Sequence, residues 1–284
     1  MAMVPKSLLL GVMGDPIAQS KSPAMHVAAM KALGISGTYI PLHVHAEQLT
    51  DAVRGLKAMG FTGANVTVPH KVNVIPLLDE LDADARAIGA VNTIVHRDGR
   101  LVGYNTDGAG YIRSLKEEVA SDLTGANVLV LGSGGAARGI IYALLKERPR
   151  QIVIANRTRE HANRLVDEWQ HLGHLIPCGV SIDELGRFAA DADIIINTTS
   201  VGMYPRTQDS PLPASLIPEG IVVSDLIYNP LHTKLLLEAA TKGCRIHGGL
   251  GMFVYQGAIA FEHWTGLEAP VSIMREAILA EFGA

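Results

Sequence analysis

The stretch Val128-Leu129-Val130-Leu131-Gly132-Ser133-Gly134-Gly135-Ala136-Ala137 decides the fold. Four consecutive aliphatic residues read as a strand buried on both faces, as in a parallel sheet covered by helices on each side. Gly132 permits a tight turn, and Gly134 lets backbone approach a pyrophosphate. Ala137 takes the close-packing third position of G-x-G-x-x-G/A. The amides at the start of the following helix, around Gly135 and Ala136, then face an anion, helped by the helix dipole. Ser133 offers mainly backbone. The competing reading is a glycine-rich strand–helix turn without a ligand; the strand before it and the helix after it favour a dinucleotide site.

Working outward, the next strand, Gln151–Ala155, should end about 20 residues on with an acid for the ribose 2′-hydroxyl. It runs instead into Asn156-Arg157-Thr158-Arg159. An acid there would repel a 2′-phosphate, whereas arginine holds one bidentately, so NADP is expected over NAD. Solvation of a loop by Arg157 and Arg159 is the alternative. Asp193–Asn197 and Ile221–Leu226 are two more apolar strands, with crossover helices expected over Ala136–Lys146, Arg159–His171 and Thr233–Lys242.

The first half repeats the alternation. Leu8–Met13, Thr38–Val44, Ala64–Val68 and Val91–His96 read as strands, and Pro23–Leu33, Glu47–Met59 and Lys71–Leu81 carry apolar residues at helical spacing. Asp98-Gly99 between two apolar runs predicts a hairpin, hence an antiparallel edge. After Gly248-Gly249 come two helical stretches, Met252–Thr265 and Val271–Glu281, which are expected to pack back on the first domain. The fold class is therefore α/β in two domains, with a ligand cleft between them as the default expectation.

Composition agrees. The 284 residues are 48% hydrophobic and 18% charged, enough for sizeable cores and too little charge for disorder. Twenty-four basic against 28 acidic residues leave a net charge of −4, which argues against a nucleic-acid partner. Cys178 and Cys244 make no disulfide framework and fit a reducing cytosol. No apolar run reaches a membrane span, and Leu8–Met13 is too short for a signal peptide, so a cytoplasmic location is expected. The histidines show neither H-x-x-x-H nor H-E-x-x-H, so no metal site is expected. G-x-S-x-G is absent, which leaves a nucleophile-elbow hydrolase without support.

Polar residues where core is expected mark the candidate substrate site. In Gly63-Ala64-Asn65-Val66-Thr67-Val68-Pro69-His70-Lys71, strand period sends Asn65 and Thr67 to one face, with Lys71 just beyond. That end of a strand is where ligands sit in open α/β sheets. Alternatively, Asn65 and Thr67 satisfy loop backbone and Lys71 is solvated. Ser22 before Pro23 suits a helix N-cap, while Ser20 has no such explanation. Asp107 is a candidate acid or the N-cap of the next helix. Asn92, Asn105 and Thr106 supply uncharged donors and acceptors. Gln256 sits in an apolar run and needs partners. Tyr228 follows the last apolar strand. Gly108 and Gly110 permit a hinge.

Taken together, these segments resemble the shikimate dehydrogenase family. The matching pieces are Ser20-Lys21-Ser22-Pro23, Asn65–Lys71, Gly89–Thr93, Asn105–Gly108, Gly132–Ala136, Asn156–Thr158, Asn197–Met203, Gly249–Met252, Gln256 and Phe261–Gly266, in family order over nearly the whole chain. The resemblance implies NADPH-dependent reduction of 3-dehydroshikimate to shikimate on the route to chorismate and aromatic amino acids. It maps the catalytic pair to Lys71 and Asp107. Substrate contacts fall on Ser20, Ser22, Thr67, Asn92, Tyr228 and Gln256. The cofactor falls on Gly132–Ala136, Asn156–Arg159, Leu226 and Gly249. It also implies a discontinuous substrate domain, 1–106 plus 249–284, around a Rossmann domain, 107–248, and a homodimer is left open. One departure stands out: His161 occupies a position that is often basic in the family, with Arg159 nearby as a substitute. The alternatives are a quinate/shikimate or aminoshikimate dehydrogenase with relaxed cofactor use and, from another class, a non-catalytic NADP-binding sensor.

Overall fold

The computed structural model describes residues 7–283. The chain divides into two compact units, Met1–Gly110 with Val254–Ala284, and Tyr111–Phe253. Both crossings fall inside helices, whereas the sequence reading puts them at the helix starts.

The first unit contains β1 (Leu8–Gly14), α1 (Ser22–Ala32), β2 (Gly37–His43), α2 (Leu49–Ala58), β3 (Gly63–Val66), β4 (Glu80–Leu81), α3 (Ala83–Ile88), β5 (Thr93–Arg97) and β6 (Arg100–Tyr104). Its sheet runs β2-β1-β3-β5-β6-β4. β1 pairs parallel with β2 and β3, while β5 is antiparallel to both β3 and β6. The Asp98-Gly99 hairpin is present, with both residues at positive φ (51° and 75°) as a type I′ turn requires. Because β5 alone is reversed among β1, β3, β5 and β6, its start lies at the same edge as the ends of the other three. That edge therefore gathers residues from four separate places in the chain.

One expectation fails here. Lys71–Leu81 is not a helix: it forms turns, a short 3₁₀ segment Ile75–Leu77, and β4, which pairs with β6. Pro76 removes a backbone donor in the middle of the helical pattern. The amides of Asp79 and Asp82 then bond the carbonyls of Leu101 and Gly103 instead of an earlier helical turn. Ser22 is likewise no cap. It is the first helical residue of α1, and its own amide donates to Ser20 Oγ at 3.3 Å.

The second unit holds β7 (Asn127–Leu131), α5 (Gly135–Lys146), β8 (Gln151–Ala155), α6 (Arg159–Trp169), β9 (Leu175–Cys178), α7 (Ile182–Ala190), β10 (Ile194–Asn197), β11 (Val222–Asp225), α8 (Lys234–Thr241) and β12 (Arg245–His247). All its strands are parallel, in the order β12-β11-β10-β7-β8-β9. This is the doubly wound Rossmann order, with its switch point between β7 and β10. Val128, Val130, Ile152, Ile154, Ile194 and Ile196 pack into one core, while Leu129, Leu131, Val153, Ala155 and Ile195 point the other way into a second. Continuous aliphatic runs are what a sheet covered on both faces demands. The sequence reading omits the short elements β9, β12 and α7.

Two helices cross between the units, α4 (Asp107–Glu118) and α9 (Gly249–Thr265), and α10 (Val271–Glu281) closes the chain. The C-terminal part packs in the first unit: α10 lies against α1, and Trp264 Nε1 donates to the Ile94 carbonyl at 2.9 Å.

Candidate active site

In the first unit, Lys71 follows β3 and is anchored through its carbonyl, which accepts the Val91 amide at 2.8 Å. Its Nζ donates to Asp107 Oδ2 at 2.6 Å. The other carboxylate oxygen, Oδ1, accepts from Asn92 Nδ2 at 2.8 Å. Asp107 is the first residue of α4 and is buried, so its carboxylate serves this pair rather than capping the helix. Lysine keeps about a fifth of its side chain exposed, against 8% for the aspartate. A cation held by a buried carboxylate, with one face open, is the arrangement a proton donor to a bound oxyanion needs.

A buried hydrogen-bond web holds this pair. Asn92 Oδ1 accepts from the Thr106 amide and from Thr93 Oγ1, both at 2.9 Å. Asn92 Nδ2 also reaches Thr106 Oγ1 at 2.9 Å and, at 3.5 Å, Gln256 Oε1. Thr106 Oγ1 donates to the Gln256 carbonyl at 2.9 Å, tying α9 to the loop before α4. Gly110 makes that approach feasible: a Cβ there would lie 2.5 Å from the Gln256 amide nitrogen. Behind Asn92, Asn65 Nδ2 donates to the Asn92 carbonyl and to Thr93 Oγ1, and Asn65 Oδ1 accepts from Tyr39 at 2.7 Å. Tyr39 also contacts Ser22 through its hydroxyl, and burial pushes its phenol well above the ordinary range. The web thus runs from Ser22 to Lys71. Asn65 fills the structural role weighed for it above. Tyr39 escaped the sequence reading because a tyrosine on an edge strand carries no local signal.

Ser20 lies on the segment after β1. Thr67 lies just past β3, where its amide bonds the Met13 carbonyl and its hydroxyl has no partner among the described residues. Ser20, Ser22, Thr67, Lys71, Asn92, Asp107 and Gln256 therefore all belong to the first unit. Tyr228 belongs to the second, stacked on Phe253 with ring centroids 4.5 Å apart. Burial raises its phenol.

In the second unit the glycine loop follows β7. Gly132 has φ 110°, and a Cβ there would lie 2.6 Å from Thr198 Oγ1. Glycine is required at that position for conformation and for space alike. Gly134 and Gly135 differ: a Cβ on either would meet nothing within 4 Å. The backbone opening α5 therefore has open space beside it, as an approaching diphosphate needs. Asn156, Arg157 and Thr158 sit between β8 and α6, at the same edge. Asn156 Nδ2 closes the turn onto the Thr158 carbonyl at 2.8 Å. Arg157 is exposed and has no ion-pair partner among the described residues. Arg159 pairs with Glu184 at 2.5 Å. Ser133, Arg138, His161, Arg164, Leu165 and Glu168 line a shallow depression of about 300 Å³; there Arg138 grips Glu168 with two bonds, 2.9 and 2.6 Å. Leu226 and Gly249 meet directly, since a Cβ on Gly249 would overlap the Leu226 carbonyl. The donor set at this edge, backbone amides plus one uncommitted guanidinium, fits a phosphorylated dinucleotide.

Comparison with known proteins agrees with this geometry. Residues 12–94 match the shikimate dehydrogenase substrate binding domain, 114–209 match shikimate/quinate 5-dehydrogenase, and 249–279 match the shikimate 5′-dehydrogenase C-terminal domain. A shikimate dehydrogenase (NADP(+)) of Geobacillus kaustophilus is 49% identical over 269 residues, spanning 95% of this chain and 96% of that one. Among solved structures, shikimate 5-dehydrogenase of Thermus thermophilus, in complex with NADP(H) and shikimate, superposes with TM-score 0.87. It is 37% identical and covers 96% of this chain and 99% of its own. Quinate dehydrogenase of Corynebacterium glutamicum, in complex with NAD, superposes with TM-score 0.90 at 31% identity, over 96% of this chain and 99% of its own.

Proposed function

Since the chain belongs to the shikimate dehydrogenase family and is an NADP-dependent oxidoreductase interconverting 3-dehydroshikimate and shikimate, we infer that Lys71 and Asp107 carry its acid–base chemistry. The observation behind this is the 2.6 Å Lys71–Asp107 contact, with Asn92 holding the second carboxylate oxygen. Bound NADPH supplies the hydride. Lys71 Nζ donates the proton to the ketone oxygen as it becomes alkoxide, and in the reverse direction takes the proton from the substrate hydroxyl. Asp107 keeps the ammonium aimed and offsets its charge through a charge-assisted bond. Ser20, Ser22, Thr67, Asn92 and Gln256 supply hydroxyls and amides for a polyhydroxylated carboxylate, and Tyr228 is read as a further substrate contact.

The first unit is thus read as the substrate domain and the second as the cofactor domain. Gly132–Ala136 would take the pyrophosphate and Asn156–Thr158 the adenosine ribose, with Arg157 on the 2′-phosphate. Leu226 and Gly249 would line the nicotinamide side. Arg159, tied to Glu184, is a weaker candidate for the phosphate than the sequence suggests. A cytoplasmic enzyme completes the reading.

The deciding experiment is initial rates of shikimate oxidation with NADP and NAD side by side, and with quinate as second substrate. Shikimate oxidation with strong NADP preference is expected. Comparable NAD use or good quinate turnover would move the chain to the quinate-type branch, and no turnover with any pair would leave only dinucleotide binding.

A further inference from the structure

One cluster of metal-ligating side chains lies outside the catalytic web. His43 ends the edge strand β2, Val44 turns inward to the core, and His45 follows on the same side as His43, as strand period dictates. Asp15 begins the segment after β1, beside them. Its Oδ1 lies 2.8 Å from His43 Nε2 and its Oδ2 lies 3.0 Å from His45 Nδ1. The two imidazole rings meet edge to face at 4.5 Å. One ligand atom from each residue falls within 4.8 Å of the other two.

Backbone contacts hold all three residues. The Val44 amide donates to the Gly14 carbonyl at 3.2 Å, and the Val44 carbonyl contacts buried His70 Nε2 at 2.6 Å. The Asp15 amide donates to the Val68 carbonyl at 3.1 Å. The donors are therefore positioned before any ion arrives. Each histidine side chain is about half exposed, 54% and 51%, which leaves an entry path and room for water ligands.

We propose that Asp15, His43 and His45 form a binding site for a divalent transition-metal ion of the zinc type. Two imidazoles and one carboxylate suit Zn²⁺, and equally Ni²⁺ or Cu²⁺, whereas Mg²⁺ and Ca²⁺ prefer oxygen-only shells. Water fills the remaining positions. A bound ion replaces the two imidazole–carboxylate hydrogen bonds and staples the segment after β1, which carries Ser20, to the end of β2. The His-x-His pair straddles the end of a strand, and its carboxylate comes from 28 and 30 residues away. A search for helical histidine spacing does not find such a site.

Isothermal titration of the chelator-treated full chain with Zn²⁺, without substrate or cofactor, tests this independently of the dehydrogenase reading. One equivalent is expected to bind and to raise the melting temperature, with no uptake of Mg²⁺. His43→Ala and His45→Ala should each weaken binding by at least about tenfold, since even outer-shell losses cost that much. Cys244→Ser should leave it unchanged. Should an alanine variant fail to fold, His43→Gln and His45→Gln keep a hydrogen bond to Asp15 and make the same comparison. Zinc binding that is absent, or equal in the histidine variants and the parent, overturns the proposal and leaves the cluster as a hydrogen-bonded clasp.

Discussion

The two units prepare for their ligands in opposite ways. The first does it with side chains: Lys71, Asp107, Asn92, Thr106 and Gln256 are linked by hydrogen bonds in a largely buried web. The second does it with missing side chains, since Gly132 turns at positive φ and Gly134 leaves open space before α5. Proton transfer needs a titratable group at a fixed point, so the first site is made of functional groups. Holding a diphosphate needs amides that can be approached, so the second is made of bare backbone. Loss of function should therefore follow from removing atoms in the first unit and from adding them in the second.

The largest expected effect tests the first half of that contrast. Lys71→Ala should lower kcat by about 10²–10⁴-fold while changing shikimate KM much less, as removal of a general acid does. Steady-state kinetics in both directions reads this, and near-parental turnover would break the comparison at its strongest point.

The second unit has a buried polar network too, which sharpens the distinction. Asp225 accepts bonds from Asn197 Nδ2, Thr233 Oγ1 and the Ile227 amide, and no cation pairs with it among the described residues. Burial pushes its carboxyl up from 3.8 to about 6. The folded state then holds a proton more tightly than the unfolded chain, so this residue's contribution is most favourable below about pH 4. It is lost as pH rises toward 6 and beyond. Urea melts across that range should show a slope worth about 2–3 kcal/mol, absent in Asp225→Asn. In the first unit, Asp107 has Lys71 opposite it.

Arg157→Gln should cut the preference for NADP over NAD by about tenfold to a hundredfold, the loss of a charge-assisted bond. Cofactor KM ratios report it, and Arg159→Gln should do much less. An equal effect of the two variants would show that the Glu184 pair opens to serve the cofactor.

The smallest effect divides the glycines. Gly132→Ala forces a side chain into positive φ and against Thr198, costing about 1–3 kcal/mol of stability. Gly134→Ala meets no protein atom, so the melting temperature should hold while NADP KM rises. If both variants melt alike, the loop is not split into a folding glycine and a ligand glycine.

Much of this was legible because it is local. The Val128–Ala137 stretch carries its own strand, turn and helix start, and aliphatic continuity through β8, β10 and β11 predicts a parallel sheet. The Asp98-Gly99 turn is equally self-contained. Lys71–Leu81 misleads for the complementary reason: its apolar spacing is helical, but Pro76 and the edge of β6 prevail over periodicity. Residue types at the site could be picked out as polar residues in apolar settings, yet the cap proposed for Ser22 is not where that residue sits, and the ion pair of Arg159 with Glu184 carries no local signal.

By itself, then, the sequence determined what depends on neighbours along the chain: the α/β alternation, the glycine turn, the missing acid after β8, and the identity of Lys71 and Asp107 as candidates. Only the tertiary structure decided which groups meet. Lys71 and Asp107 stand 36 positions apart and are joined at 2.6 Å because the ends of β3 and β6 share an edge with the start of β5. Tyr39, Asn65 and Thr93 enter the web through the same sheet, and Asp15 reaches His43 and His45 through the pairing of β1 with β2. Backbone preference acts over a few residues, whereas hydrogen-bond partners and charges are assigned only when strands far apart in sequence are laid side by side.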